Sequence, residues 1–358
     1  ATPPEANSEG AVKALVLRAK AKLFGGGADN ADVADPPIDP RLPEVVDAIE
    51  ASAKTVVAAI HGMALGGGLE VALGCHYRIA TPETKLGLPE VTLGIMPGAG
   101  GTQRLPRLIG AETALEMIVS GKPIRAAEAA ELGLVDRIVD EESLASEALA
   151  FARAAAAPRR TCDRSFAAEP SIFSRFAAAN ERKIKSLDAP KACIEAVQIA
   201  TQLPVAEGQR KERALFTQLV EGDQSKALRH LFFAERAARK VEGLPRDIQT
   251  RPIAKVGVIG AGTMGGGISM NFLSAGIAVT IVEMTREALD RGVGLIRRNY
   301  EATAAKGYLT VEQVETAMGL LMPTLDMDAL EDCDLIIEAV YENMDVKKDI
   351  FARLDSVA

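Results

Sequence analysis

Over the first 160 residues, short apolar runs alternate with glycine clusters. VKALVLRA and TVVAAI read as buried strands, because brief aliphatic and β-branched runs bounded by turn signals suit a strand covered on both faces. The glycines of ALGGGLEVALG and IMPGAGG punctuate tight turns between strand and helix. TALEMIVSG and AAEAAELGL carry apolar residues three and four apart and close on glycine, which predicts helices with a C-terminal stop. The alanine-rich LASEALAFARAAAA is a strong helix former halted by Pro158.

From about residue 160 the strand-like runs cease. IFSRFAAANERKIK, APKACIEAVQIATQL and SKALRHLFFAERAARKV predict helices that lie across other domains, and VEGLPRDIQTRP has the composition of a linker. Alternation then returns. AKVGVIGAG and AVTIVE predict strands, with GGGISMNFLSAG and REALDRGVGLIRRNYEATAAKG as the helices after them. DLIIEAV is a third strand, and MDVKKDIFARLDSVA a closing helix. Such alternation signals a parallel sheet wrapped by helices, so the fold class is α/β. The expected divisions are 1–160, a helical linker at 161–252, and 253–358.

The 358 residues are 48% hydrophobic and 25% charged, which excludes disorder and collagen. Trp is absent, aromatics total 4% and the net charge is −8, so no nucleic-acid partner is expected. No long uncharged apolar run occurs, so no transmembrane segment is expected. Cys75, Cys162, Cys193 and Cys333 stand far apart, which predicts reduced thiols and neither a disulfide frame nor a metal site.

Two patterns carry chemistry. Glu70 follows Gly66, Gly67 and Gly68, and Glu90 follows Leu88-Pro89; a second cluster, Gly25-Gly26-Gly27, precedes Ala28. Glycine-rich backbone offers exposed N–H groups suited to an oxyanion, and two carboxylates beside them suit acid–base work on a carbonyl compound. Solvated helix caps are the plainer reading of the same spacing. Further on, Gly260-x-Gly262-x-x-Gly265 follows a strand and opens a helix, and Glu283 ends the next strand. That arrangement places a dinucleotide pyrophosphate on the helix N-terminus and a carboxylate on the ribose, favouring NAD over NADP.

The wording of the first half goes beyond spacing. AAIHGMALGGGLEVALGCHYRIA followed by LGLPEVTLGIMPGAGGTQRLPRLIG resembles the crotonase (enoyl-CoA hydratase/isomerase) family over roughly residues 11–140, with FGGGAD matching its first oxyanion turn. The resemblance implies a crotonase-like ββα spiral and a coenzyme A thioester substrate. The N–H groups of Ala28 and Gly67 would grip the thioester oxygen. Glu70 would deprotonate the attacking water and Glu90 would deliver a proton to Cα, while Gly98 leaves room for the water. In an isomerase, one carboxylate would instead shuttle a proton between Cα and Cγ. His61 stands where many members have Asn and His76 where many have Asp; both read as polar residues satisfied beside turns.

GAGTMGGGI with DLIIEAVYENMDVKKDIF is similar to the 3-hydroxyacyl-CoA dehydrogenase family, which implies a partial Rossmann NAD-binding domain. Ala339, Val340, Glu342 and Lys347 would line the nicotinamide side. That family's chemistry uses a His–Glu pair, yet His61, His76 and His230 all precede the fingerprint. The pair is therefore expected beyond residue 358, and the early CoA-binding turn upstream of residue 1. The order of parts resembles multifunctional β-oxidation enzymes of the peroxisomal type and their bacterial relatives. It implies enoyl-CoA hydration followed, in a longer chain, by NAD-dependent oxidation, in a bacterial cytoplasm or alternatively a peroxisome. Another crotonase-family activity, such as a hydrolase or an isomerase alone, and a piece that binds NAD or acyl-CoA without turnover are the other readings.

Overall fold

The computed structural model describes residues 7–27, 40–155, 157–238, 240–241, 243–245 and 247–357. The chain divides into two compact units, residues 1–242 and 243–358.

The first unit carries β1 (Ala14–Arg18), β2 (Thr55–Ile60), β3 (Met63–Leu65), β4 (Tyr77–Ala80), β5 (Lys85–Gly87), β6 (Ile124–Arg125) and β7 (Arg137–Ile138). A parallel sheet runs β1-β2-β4-β7, and a smaller sheet runs β3-β5-β6. The chain repeats one move. A strand in the first sheet (β2, then β4) leads to a short strand in the second (β3, then β5), and each pair is followed by a helix, Gly67–Gly74 or Gly101–Ile109. β2 is apolar from Val56 to Ile60 because both of its faces are covered. Val56, Ala58 and Ile60 join the main core, whereas Val57 and Ala59 meet Leu144, Ala148 and Ala152 of the Leu144–Ala154 helix.

One buried cation holds this sheet to its surroundings. Arg78 on β4 donates from Nε to the Leu134 carbonyl (2.7 Å) and from Nη1 to the carbonyls of Cys75 (2.8 Å) and Ala72 (3.3 Å). Its Nη2 stands 3.8 Å from Asp136, and burial pulls the guanidinium pKa down. Arg78→Met leaves the carbonyls of Leu134, Cys75 and Ala72 without this donor, whereas Asp136 keeps Arg159 and the N–H of residue 78, so a cost of about 3 kcal/mol is expected. At ~2–4 °C per kcal/mol for a unit of this size, a thermal melt should fall by at least about 6 °C.

The helices expected as a linker over 161–252 pack on the first unit as far as residue 242, where the division between the two units falls. Cys193, Ala196, Val197 and Leu219 share one core with Leu69 and Leu105, because the apolar face of Asp188–Ala200 is covered by the Gly101–Ile109 and Ala111–Ser120 helices. The single helix expected over IFSRFAAANERKIK is two, Ser171–Ala179 and Glu181–Ile184, broken at Asn180. A further helix of the helical stretch, Val205–Glu221, not picked out by its sequence, precedes Asp223–Ala238.

The second unit is a parallel sheet of β8 (Lys255–Ile259), β9 (Ala278–Val282), β10 (Leu321–Thr324) and β11 (Leu335–Glu338), in the order β10-β9-β8-β11. Successive strands leave β8 in one direction and β11 returns on its other side, which opens a crevice beyond the strand ends. β10 contains Pro323 and is tolerated as an edge strand, since no neighbour needs that missing N–H. Thr285 caps the Arg286–Ala305 helix by accepting from the Ala288 N–H at 3.2 Å. Among the described residues no helix is long and apolar enough to cross a membrane.

Candidate active site

Two loops of the first unit meet at the glycine turn. The Gly25 N–H donates to the Met63 carbonyl (3.0 Å) and the Leu65 N–H to the Gly25 carbonyl (2.8 Å), laying residues 24–27 beside β3. Gly27 thereby reaches the turn at Gly66, which has φ 53° and ends where the Gly67–Gly74 helix begins. As the first helical residue, Gly67 has an N–H with no partner inside the helix. Ala28, the expected second donor, lies outside the described residues.

Glu70 stands in the first turn of that helix and is buried. Its Oε1 accepts from the Ala99 N–H (2.7 Å) and the Gly101 N–H (2.9 Å). Burial raises its pKa, while these two amides and the charges of Arg104 and Arg213 pull the other way. Glu90 opens the short 3₁₀ turn Pro89–Leu93, with its carboxyl against Gly66. Its Oε2 is buried and has no hydrogen-bond partner among the described residues. Desolvation first, and then the charges of Glu70 and Glu212, hold its pKa well above the usual carboxylate range. The two groups thus differ: one is tied by amides that favour its ionised form, the other sits where burial and neighbouring carboxylates favour its protonated form.

Gly98 sits differently from expectation. The room left by its missing Cβ is taken by the Phe216 ring, 2.7 Å from where a Cβ would be, so this glycine accommodates an aromatic from the Val205–Glu221 helix. The histidines are structural in their contacts. Buried His76 accepts the Val56 N–H at Nδ1 (2.9 Å) and pairs through Nε2 with the Glu50 carbonyl (3.1 Å), with burial pulling its pKa down. His61 pairs with the Ala21 carbonyl, and His230 is exposed on the Asp223–Ala238 helix.

Sequence reasoning missed a third carboxylate. Glu212, on the Val205–Glu221 helix, is only 1% exposed; its Oε1 accepts from the Gly100 N–H (2.7 Å) and its Oε2 from the Thr102 N–H (3.1 Å) and hydroxyl. Burial and the charge of Glu70 push its pKa up to about 8. The available signal was the stripe Val205, Gly208, Glu212, Leu215, Leu219, which sets a charge at a core-facing position. Arg104 braces the same loop, donating to the Ala99 carbonyl (3.1 Å), to Glu50 (2.8 and 3.0 Å) and to Asp47 (2.7 Å).

In the second unit, the turn after β8 and the loop after β11 lie side by side. A Cβ on Gly260 (φ 100°) would stand 2.6 Å from the Ala339 carbonyl oxygen and 3.4 Å from the Val340 nitrogen. Glu283, at the end of β9, accepts from the Ala261 N–H (2.8 Å) and from the Met284 N–H (3.0 Å). Gly262 faces open space among the described residues, whereas a Cβ on Gly265 would overlap the Gly260 carbonyl oxygen. Gly260, Gly262, Gly265, Glu283, Ala339 and Val340 are therefore gathered at the carboxyl ends of the strands. Lys347 pairs with Glu342 (2.9 Å) and with Glu338 (3.2 Å) beside them, and these carboxylates hold its pKa up. A glycine turn with open room and a carboxylate poised over its amide fits a dinucleotide.

Comparison with known proteins agrees with both halves. Residues 5–168 match the family described as enoyl-CoA hydratase/isomerase, and residues 255–358 match the 3-hydroxyacyl-CoA dehydrogenase NAD-binding domain. The chain is 43% identical to a peroxisomal bifunctional enzyme of Danio rerio, over 99% of this chain and 50% of that protein. It is 42% identical to a peroxisomal bifunctional enzyme of Homo sapiens, over 97% of this chain and 49% of that protein. A peroxisomal fatty acid beta-oxidation multifunctional protein of Arabidopsis thaliana is 36% identical, over 98% of this chain and 51% of that protein. The chain spans about half the length of these curated relatives. The chain therefore belongs to the enoyl-CoA hydratase/isomerase family over residues 5–168 and to the 3-hydroxyacyl-CoA dehydrogenase NAD-binding family over residues 255–358, an order of domains in which it is similar to multifunctional β-oxidation enzymes.

Proposed function

We propose that the first unit hydrates trans-2-enoyl-CoA thioesters to 3-hydroxyacyl-CoA. The observation that carries this reading is the unequal pair of buried carboxyls beside the Gly66–Gly67 turn: Glu70 held by two amides, Glu90 with an unpartnered oxygen. The Gly67 N–H, with that of Ala28, draws charge onto the thioester oxygen and makes Cβ electrophilic. Glu70 takes a proton from water as its oxygen bonds to Cβ, and Glu90 gives its proton to the Cα carbanion. One proton is thus gained by Glu70 and one lost by Glu90, and passing it back resets the pair. The acid–base work lies with two carboxyls and backbone amides, so no metal is called for.

The second unit is read as the NAD site. NAD, when bound, supplies the hydride acceptor for oxidation of the 3-hydroxyacyl product. This chain's contribution is the Gly260–Gly265 turn for the pyrophosphate and Glu283 for the ribose, with Ala339, Val340, Glu342 and Lys347 toward the nicotinamide. The peroxisomal relatives favour a peroxisomal enzyme over a bacterial cytoplasmic one.

The test is crotonyl-CoA hydration, followed by the loss of enoyl-thioester absorbance across pH. Glu90 works protonated, so kcat/KM should fall as pH rises through its raised pKa; Glu70 works ionised, so the rate should also fall on the acid side. A rate that stays flat into the alkaline range would remove Glu90 as the acid.

A further inference from the structure

The loop from Ala99 to Thr102 presents four successive N–H groups, and they divide by parity. Those of Ala99 and Gly101 point to Glu70; those of Gly100 and Thr102 point to Glu212. Gly100 makes the alternation possible with φ 94°, a conformation that side-chain-bearing residues rarely adopt. Because the loop is buried, both of its faces need acceptors; an amide left without one would turn the peptide toward a new partner.

We propose that Glu212 is a positioning residue for hydration: by holding the even-numbered amides it aims the odd-numbered ones at Glu70 and keeps the two active carboxyls in register. This rests on the hydratase reading above. Glu212 does not touch the reacting atoms; it acts through the loop. Its carboxylate also faces Glu70 on the Gly67–Gly74 helix, Glu90 in the Pro89–Leu93 turn, Arg104 on the Gly101–Ile109 helix and the Cys193 thiol on the Asp188–Ala200 helix. Above about pH 8, where Glu212 is ionised, its charge also helps Glu90 keep its proton, so it influences one partner through backbone geometry and the other through the field.

The experiment compares Glu212→Gln and Glu212→Ala with the parent chain in crotonyl-CoA hydration across pH, alongside thermal melts and Glu70→Gln and Glu90→Gln. In Glu212→Gln the amide oxygen can serve one loop N–H while the other loses its acceptor. It should stay folded and lose about 10- to 100-fold in kcat with KM changed by less than about two-fold, as misplacement of a catalytic group demands. Its alkaline limb should move to lower pH, because the charge that favoured the Glu90 proton is gone. A folded Glu212→Gln with parent kcat and an unmoved pH profile overturns the proposal, and so does a loss confined to melting temperature. Should Glu212→Ala not fold, the Gln variant decides alone. If Glu70→Gln and Glu90→Gln keep the parent rate, the hydratase reading itself fails; if they lose it while Glu212→Gln does not, only the positioning role is wrong.

Discussion

Replacing Glu90 by glutamine should reduce crotonyl-CoA hydration by about 10²–10⁴-fold and leave the melting temperature of the first unit unchanged. The side chain keeps its shape, and its Oε2 forfeits no hydrogen bond because it makes none with the described residues. What disappears is the proton for Cα. The substitution also removes a group set against the charges of Glu70 and Glu212, so no stabilising ion pair is sacrificed. Glu70→Gln should lose rate on the same scale for a different reason. Its amide oxygen can still accept from Ala99 and Gly101, yet it can no longer take a proton from water. Initial rates with purified, folded variants check both; a Glu90→Gln enzyme within tenfold of the parent would remove that residue from the chemistry.

The second large effect concerns NAD. Gly262 and Gly265 belong to one fingerprint but have different physical duties. Nothing among the described residues lies within 4 Å of a Cβ on Gly262, so Gly262→Ala should fold and melt as the parent does. Its added methyl occupies the space through which a pyrophosphate would approach, and NAD affinity should drop at least about tenfold in calorimetry. On Gly265 the same methyl would overlap the Gly260 carbonyl oxygen, forcing turn and helix apart. An overpacking cost of about 1–3 kcal/mol, spent at the dinucleotide turn itself, should lower the melting point of the second unit and remove measurable NAD binding. Parent-like affinity in both variants would show that the fingerprint is only a structural turn.

Much of this molecule is readable from short stretches of chain. The strands, glycine-stopped helices and Gly260–Gly265 fingerprint depend on periodicity and turn chemistry that act over a few residues. Glu70, Glu90 and Glu283 were marked for the same reason, each standing beside a glycine turn or a strand end. The Val205–Glu221 helix escaped because its charged residues obscure a narrow apolar stripe, and with it went Phe216 and Glu212. Composition shows where the strands stop and the linker helices begin, but not which core a helix face will cover.

The sequence alone therefore marked most of the elements, the two families and the residues proposed to supply the chemistry. Those properties are local, or are carried by contiguous words such as GMALGGGLEVALG. Only the tertiary structure decided that four consecutive amides are shared between Glu70 and Glu212, the latter 112 residues away from Gly100. It likewise decided that Gly98 makes room for an aromatic ring. Such pairings follow from how helices close-pack over a sheet and from the need to satisfy every buried amide, constraints that exist only once distant segments share one dry interior.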